Sequence, residues 1–107
     1  MSDTFKRVIQ LVHSESVRIS EHGYNELEAD NIFSRDIVQG IAEAIVVEDY
    51  PEYPKGSCVL VLQRDRNGNP IHIVWGIPKG HSEPAVLVTA YRPNLEQWYD
   101  GFMRRRE

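Results

Sequence analysis

Histidine, hydroxyl and cationic side chains recur along this chain at positions suited to phosphate chemistry. Cleavage of RNA without a metal needs a base for the 2′-hydroxyl proton and an acid for the departing 5′-oxygen. It also needs cations or donors for the charge on the phosphorane. Imidazole suits either proton transfer because its pKa lies near neutrality. His22 follows Ser20 and Glu21 at a helix-start signal, where backbone N–H groups and the helix dipole attract an anion. His72 lies in the alternating run Ile71–Ile77, and Thr89 and Tyr91, two residues apart in Ala85–Tyr91, share one strand face. Arg92 at the end of that strand and Lys79 in the loop before it are the cations placed to neutralise a phosphate. His22, His72, Thr89 and Tyr91 are therefore the catalytic candidates, and Arg92 and Lys79 the substrate-binding ones. Each has a plainer reading. His22 can decorate an exposed helix start, His72 can be a satisfied structural histidine, and Thr89 and Tyr91 are good strand formers. His81 in its Gly80–Ser82 loop and His13 at a helix end are weaker candidates, and Arg104–Arg106 reads as a solvated tail that can also touch RNA.

Other chemistries find no support in the residues. The four histidines lack close ligand spacing and Cys58 is the only cysteine, which argues against a zinc site and rules out an internal disulfide. Within the apolar run Cys58–Leu62 this thiol reads as buried and inert. There is no Gly-rich phosphate loop, nucleophile elbow or spaced carboxylate set for two metals, so no cofactor is expected. No run approaches the roughly 20 apolar residues a bilayer span needs, and nothing resembles a signal peptide, so no membrane association is expected and the cytoplasm is the expected location. The net charge of −4 argues against strong non-specific nucleic-acid binding, yet it is unevenly spread. Residues 1–53 carry four basic against eleven acidic groups, a balance of −7, whereas residues 54–107 carry eight against five, a balance of +3. A local basic face is compatible with an acidic total.

The elements that must position these groups follow from periodicity. At 107 residues and 41% hydrophobic, the chain fits one domain with one modest core. Phe5, Val8, Ile9 and Val12 recur at helical spacing, predicting an amphipathic helix over 3–13. Ser20 caps a second helix to about Asp30 that turns Tyr24 and Leu27 inward. Ser34 and Asp36 start a third, whose buried stripe is Ile37, Ile41 and Ile45. Ile45–Tyr50 reads as an edge strand stopped by Pro51 and Pro54, and Pro51 with the local carboxylates discourages pairing with a second copy. Ser57–Arg64 reads as a strand buried on both faces, and Asn67-Gly68 as a hairpin signal leading into Ile71–Ile77, a central strand. After the 78–84 loop and Ala85–Tyr91, Leu95, Trp98, Tyr99 and Phe102 predict a short closing helix. The expected fold is α+β, with N-terminal helices packed on a curved antiparallel sheet of about four strands and a short C-terminal helix.

Several of these segments, in order, resemble a known family. Ile19-Ser-Glu-His22, Ile32-Phe-Ser-Arg-Asp-Ile-Val38, Val47-Glu-Asp-Tyr-Pro51, Pro70-Ile-His72-Ile-Val74 and Val88-Thr-Ala-Tyr91-Arg-Pro93, with Trp98 beyond, are similar to the domain-of-unknown-function family 4258 over roughly residues 15–98. The resemblance implies membership of a broad group of small RNases and toxins with RelE-like and barnase-like folds. It implies metal-independent endoribonuclease activity of the toxin type through a 2′,3′-cyclic phosphate, RNA as substrate and a cognate antitoxin as partner. Members carry an arginine one helical turn after the histidine, where this chain has Glu26; a glutamate repels the phosphate an arginine would clamp. The alternative expectation is a non-catalytic interaction module of the same fold, its active site degenerate and its acidic helices binding a basic partner.

Overall fold

The computed structural model describes residues 2–106. Helix α1 (Asp3–His13) starts at Ser2, whose side chain accepts the Phe5 N–H at 3.0 Å, and buries Phe5, Val8, Leu11 and Val12. Helix α2 (Glu21–Ala29) is capped by Ser20 as expected, the hydroxyl accepting the Gly23 N–H at 2.9 Å. Helix α3 (Ser34–Gly40) has no side-chain cap and passes into a 3-10 turn at Ile41–Glu43.

Five strands form one mixed sheet in the order β1-β5-β4-β3-β2. They are β1 (Val17–Ile19), β2 (Ile45–Tyr50), β3 (Cys58–Arg64), β4 (Pro70–Gly76) and β5 (Ala85–Tyr91). The expectation of an antiparallel sheet of about four strands is corrected by β1, which pairs parallel to β5 with Val17 opposite Ala85. Three residues are too few to show strand alternation, so this edge left no periodic signal. β2 is the opposite edge and β4 is central, as expected.

The pleat divides the sheet's two faces. Val59 pairs with Trp75 and Val61 with Ile73, and these residues join α1 and Ile37, Ile41, Leu87 and Ala90 in the core. The other face carries Cys58, Leu60 and Leu62 opposite Gly76, Val74 and His72. Two bulges re-aim side chains, one on the edge strand β2 and one on the interior strand β5. In β2 the register slips between Val46 and Glu48, so Val46 pairs with Val61 on the core face while Glu48 pairs with Leu60 on the other. In β5 it slips at Val88, so Leu87 faces the core beside Trp75 while Thr89 opposes Val74.

Four further expectations are corrected. The closing helix is absent: Trp98–Tyr99 (β6) and Arg104–Arg105 (β7) form a small antiparallel hairpin, with Asp100, Gly101 and Phe102 at positive φ. The apolar spacing reflects one anchor, since Trp98 is buried while Leu95 is 65% exposed. Tyr24 points outward at 62% exposure, and Ile45, beyond the end of α3, sits on the edge strand at 56%. Cys58 is half-buried because its side of β3 opens onto the non-core face. No helix among the described residues is long and apolar enough to cross a membrane.

Candidate active site

The sheet face opposite the core carries a cleft of about 760 Å³. Every strand of the sheet contributes to it: Arg18 from β1, Glu48 and Tyr50 from β2, Cys58 and Leu60 from β3, Val74 and Gly76 from β4, and Val86, Val88, Thr89 and Tyr91 from β5. Tyr53 and Lys55 from the β2–β3 loop and Arg105 from β7 complete its rim. Both bulges matter here, because they put Glu48 with Tyr50, and Thr89 with Tyr91, on the cleft side.

His72 lies beneath the cleft, fully buried. Its Nε2 is 2.8 Å from the Phe102 carbonyl and its Nδ1 3.1 Å from the Tyr91 hydroxyl. A carbonyl can only accept, so Nε2 carries the ring proton, Nδ1 is a lone pair, and the Tyr91 hydroxyl donates to it. Trp98 packs edge-on against the imidazole with ring centroids 4.3 Å apart. Burial pushes the His72 pKa below the ordinary histidine value, with the Phe102 hydrogen bond pulling the other way. Burial likewise raises Tyr91. A neutral imidazole whose lone pair accepts a phenol's hydrogen bond is a base that works through the phenol's oxygen.

Beside this pair, Arg105 holds Glu48 in a two-point ion pair, Nε to Oε2 at 2.7 Å and Nη2 to Oε1 at 3.0 Å. The Arg105 guanidinium lies 4.7 Å from the Trp98 ring centre. The Tyr50 hydroxyl donates to Glu48 Oε1 at 3.0 Å. Arg105 keeps the Glu48 carboxyl below the usual carboxylate range, and Glu48 in turn raises the Tyr50 phenol. Burial raises the Cys58 thiol, which keeps it protonated near neutral pH.

The expected site residues are partly brought together. His72, Thr89 and Tyr91 meet at the cleft, His72 through its hydrogen bond to Tyr91. His22 stands apart: it is exposed on α2, does not line the cleft, and its Nε2 is 4.0 Å from Glu26. Arg92 is also elsewhere. Its guanidinium pairs with Asp65 at 2.8 Å, and its N–H donates to Asp30 Oδ2 at 3.0 Å. Lys79 lines a neighbouring groove of about 300 Å³ with His81, adjoining the cleft. Sequence reasoning missed Glu48, Tyr50, Tyr53, Lys55 and Arg18, and read Arg105 only as part of a solvated tail that can touch RNA. Glu48 carried one signal, a carboxylate inside a strand where it is disfavoured. Among the described residues no three His, Cys, Asp or Glu side chains gather as a metal would require.

A family model described as a domain of unknown function (DUF4258) matches residues 19–92, more than half of the chain. No curated protein and no solved structure matches.

Proposed function

The chain belongs to the DUF4258 family, and we propose that it is a metal-independent endoribonuclease of the toxin type whose active site is the open sheet face. The observation that carries this reading is the Tyr91–His72 pair, a phenol on the cleft hydrogen-bonded to a buried neutral imidazole at 3.1 Å. The 2′-hydroxyl gives its proton to the Tyr91 oxygen as the Tyr91 proton passes to His72 Nδ1. The 2′-oxygen attacks phosphorus, and the P–O5′ bond breaks to leave a 2′,3′-cyclic phosphate. Lys55 on the cleft rim gives the 5′-oxygen its proton, as an ammonium can and a guanidinium cannot. Arg18, Arg105 and the Thr89 hydroxyl face the phosphorane charge. Glu48 positions Arg105. His22, Arg92 and Glu26 have no part in this scheme, so the glutamate at the family's arginine position does not oppose it. Helices on one face and a cleft on the other accord with the small RNase and toxin group that the resemblance implies. An enzyme of this kind acts on cytoplasmic RNA and calls for a neutralising antitoxin.

A second reading, the interaction module, is favoured by the outer surface of the helices. Tyr24 and Phe33, each 62% exposed, flank a shallow groove beside Glu28. The two are separated by incubating the purified protein with a mixed RNA pool in EDTA, beside Tyr91→Phe and His72→Gln. Cyclic phosphate ends that fall at least a hundredfold in both variants support the nuclease, the range expected for a lost general base. An uncut pool with folded protein sinks it and leaves the module.

A further inference from the structure

We infer that the cleft takes its RNA as an unpaired single strand, stacking bases on Tyr50 and Tyr53 and leading the chain over Gly56 to Lys79; this rests on the ribonuclease reading. Tyr50 and Tyr53 are 45% and 51% exposed, and both line the cleft. They rise from one tight turn, in which the Tyr53 N–H donates to the Tyr50 carbonyl at 3.3 Å. The Tyr50 ring is also pinned, because its hydroxyl is bonded to Glu48. The Tyr50 ring, held at the cleft rim, and the exposed Tyr53 ring on the same turn offer flat faces to a ligand.

The cleft does not end at Tyr53. Tyr53, Gly56, Ile77 and Pro78 line both it and the neighbouring groove, so the two are continuous. The floor between them is bare backbone at Gly56, where a Cβ would fall 2.1 Å from the Ile77 carbonyl oxygen and φ is +126°. The Lys79 N–H donates to the Lys55 carbonyl at 3.1 Å. The two loops are thus stitched together at the junction, with Lys55 on the cleft and Lys79 on the groove. That arrangement supplies a cation on each side of the floor for successive phosphates. Glu52 also lines the groove and repels phosphate, which confines the strand to the Lys79 and His81 side.

Base faces in a duplex are already covered by neighbouring pairs, whereas an unpaired strand presents them to aromatic rings. Rims of aromatic faces and cations read backbone and stacking rather than base edges, so the preference is for strandedness over sequence.

The test uses a labelled 2′-O-methyl RNA hexamer, which has no 2′-hydroxyl to attack, and a duplex of the same sequence, with Kd read by fluorescence anisotropy. The single strand should bind at least tenfold more tightly than the duplex. Tyr53→Ala should weaken it roughly tenfold, Tyr53→Phe should restore it, and Lys79→Ala should weaken it severalfold. Circular dichroism confirms that each variant is folded. Equal binding of duplex and single strand, no binding of either, or a Tyr53→Ala variant with unchanged Kd overturns the inference. The two proposals fail separately. Tyr53-dependent binding with natural RNA left uncut keeps the strand path and loses the nuclease, while cut RNA indifferent to Tyr53→Ala loses only the path.

Discussion

A buried imidazole whose Nε2 proton is held by the Phe102 carbonyl and whose Nδ1 receives the Tyr91 hydroxyl has no free site for a second proton. Protonating His72 requires the Tyr91 hydroxyl to turn away and a charge to be carried in a buried place. The folded pKa therefore lies below that of the unfolded chain, about 6.5. Between these two values the unfolded chain binds more protons, so stability is full above about pH 6.5 and falls as pH drops toward the folded value. Urea unfolding across that window should show this decline, and His72→Gln should flatten it. The same group sets the acid limb of cleavage, which should have its midpoint below about pH 6.5. On the proposed reading Arg92, paired with Asp65 away from the cleft, serves stability rather than cleavage. Arg92→Ala strips Asp65, whose side chain is 5% exposed, of its cation and costs about 2 kcal/mol in urea unfolding. Cleavage per folded molecule should be retained; a hundredfold loss without unfolding would place Arg92 in the site after all.

At the scale of elements, the site depends on where strands break register and where loops meet. His72 was legible from the regular alternation of β4, and Thr89 and Tyr91 as a pair sharing one face of β5, but that this pair faces the cleft with His72 depends on the bulge at Val88. Glu48 was not legible, since its facing depends on a bulge that no residue type in Val46-Val-Glu48 announces. Arg105 reaches Glu48 only because Asp100 and Phe102 adopt positive φ, which such residues rarely do. The helices were read well where a cap or stripe marked them, and the closing helix failed because a few aromatic residues fit more than one period. Gly56 is the element-scale constraint open to a direct test. An alanine there meets the Ile77 carbonyl oxygen and the Lys79 nitrogen, the latter 2.7 Å from its Cβ, in a backbone region that favours glycine. The loops must part, so Gly56→Ala should lower stability by about 2 kcal/mol, a fall in Tm of roughly 10 °C. Gly68→Ala is the control, with a φ of +82° but nothing within 4 Å of its Cβ. It should carry only the backbone strain, and equal losses in the two variants would refute the close-contact account.

Over the whole molecule, charge is partly sorted by surface. Glu21, Glu26 and Glu28 of the acidic first half lie on α2 and line neither the cleft nor the groove beyond it, whereas Glu48, paired with Arg105, lines the cleft and Glu52 the groove. Arg18, Lys55 and Lys79 do line them, and none is ion-paired with a described residue. Arg105 is largely neutralised by Glu48. A single strand in the cleft therefore meets about three available cations despite the net charge of −4. With a slope near −0.7 per neutralised phosphate for single strands, log K should fall with log salt at about −2. Between 50 and 200 mM salt, binding should weaken roughly fifteenfold, and Lys79→Ala should make the slope shallower by about 0.7. If cations of the acidic helices' partner were what mattered instead, a basic peptide would bind and Tyr24→Ala with Phe33→Ala would weaken it, while Lys79→Ala would leave it alone. The anisotropy titration with the hexamer measures the first slope, and the same titration with the peptide measures the second. A hexamer slope near zero would mean that the cations are not facing phosphates, and the open sheet face would then have to hold an uncharged ligand.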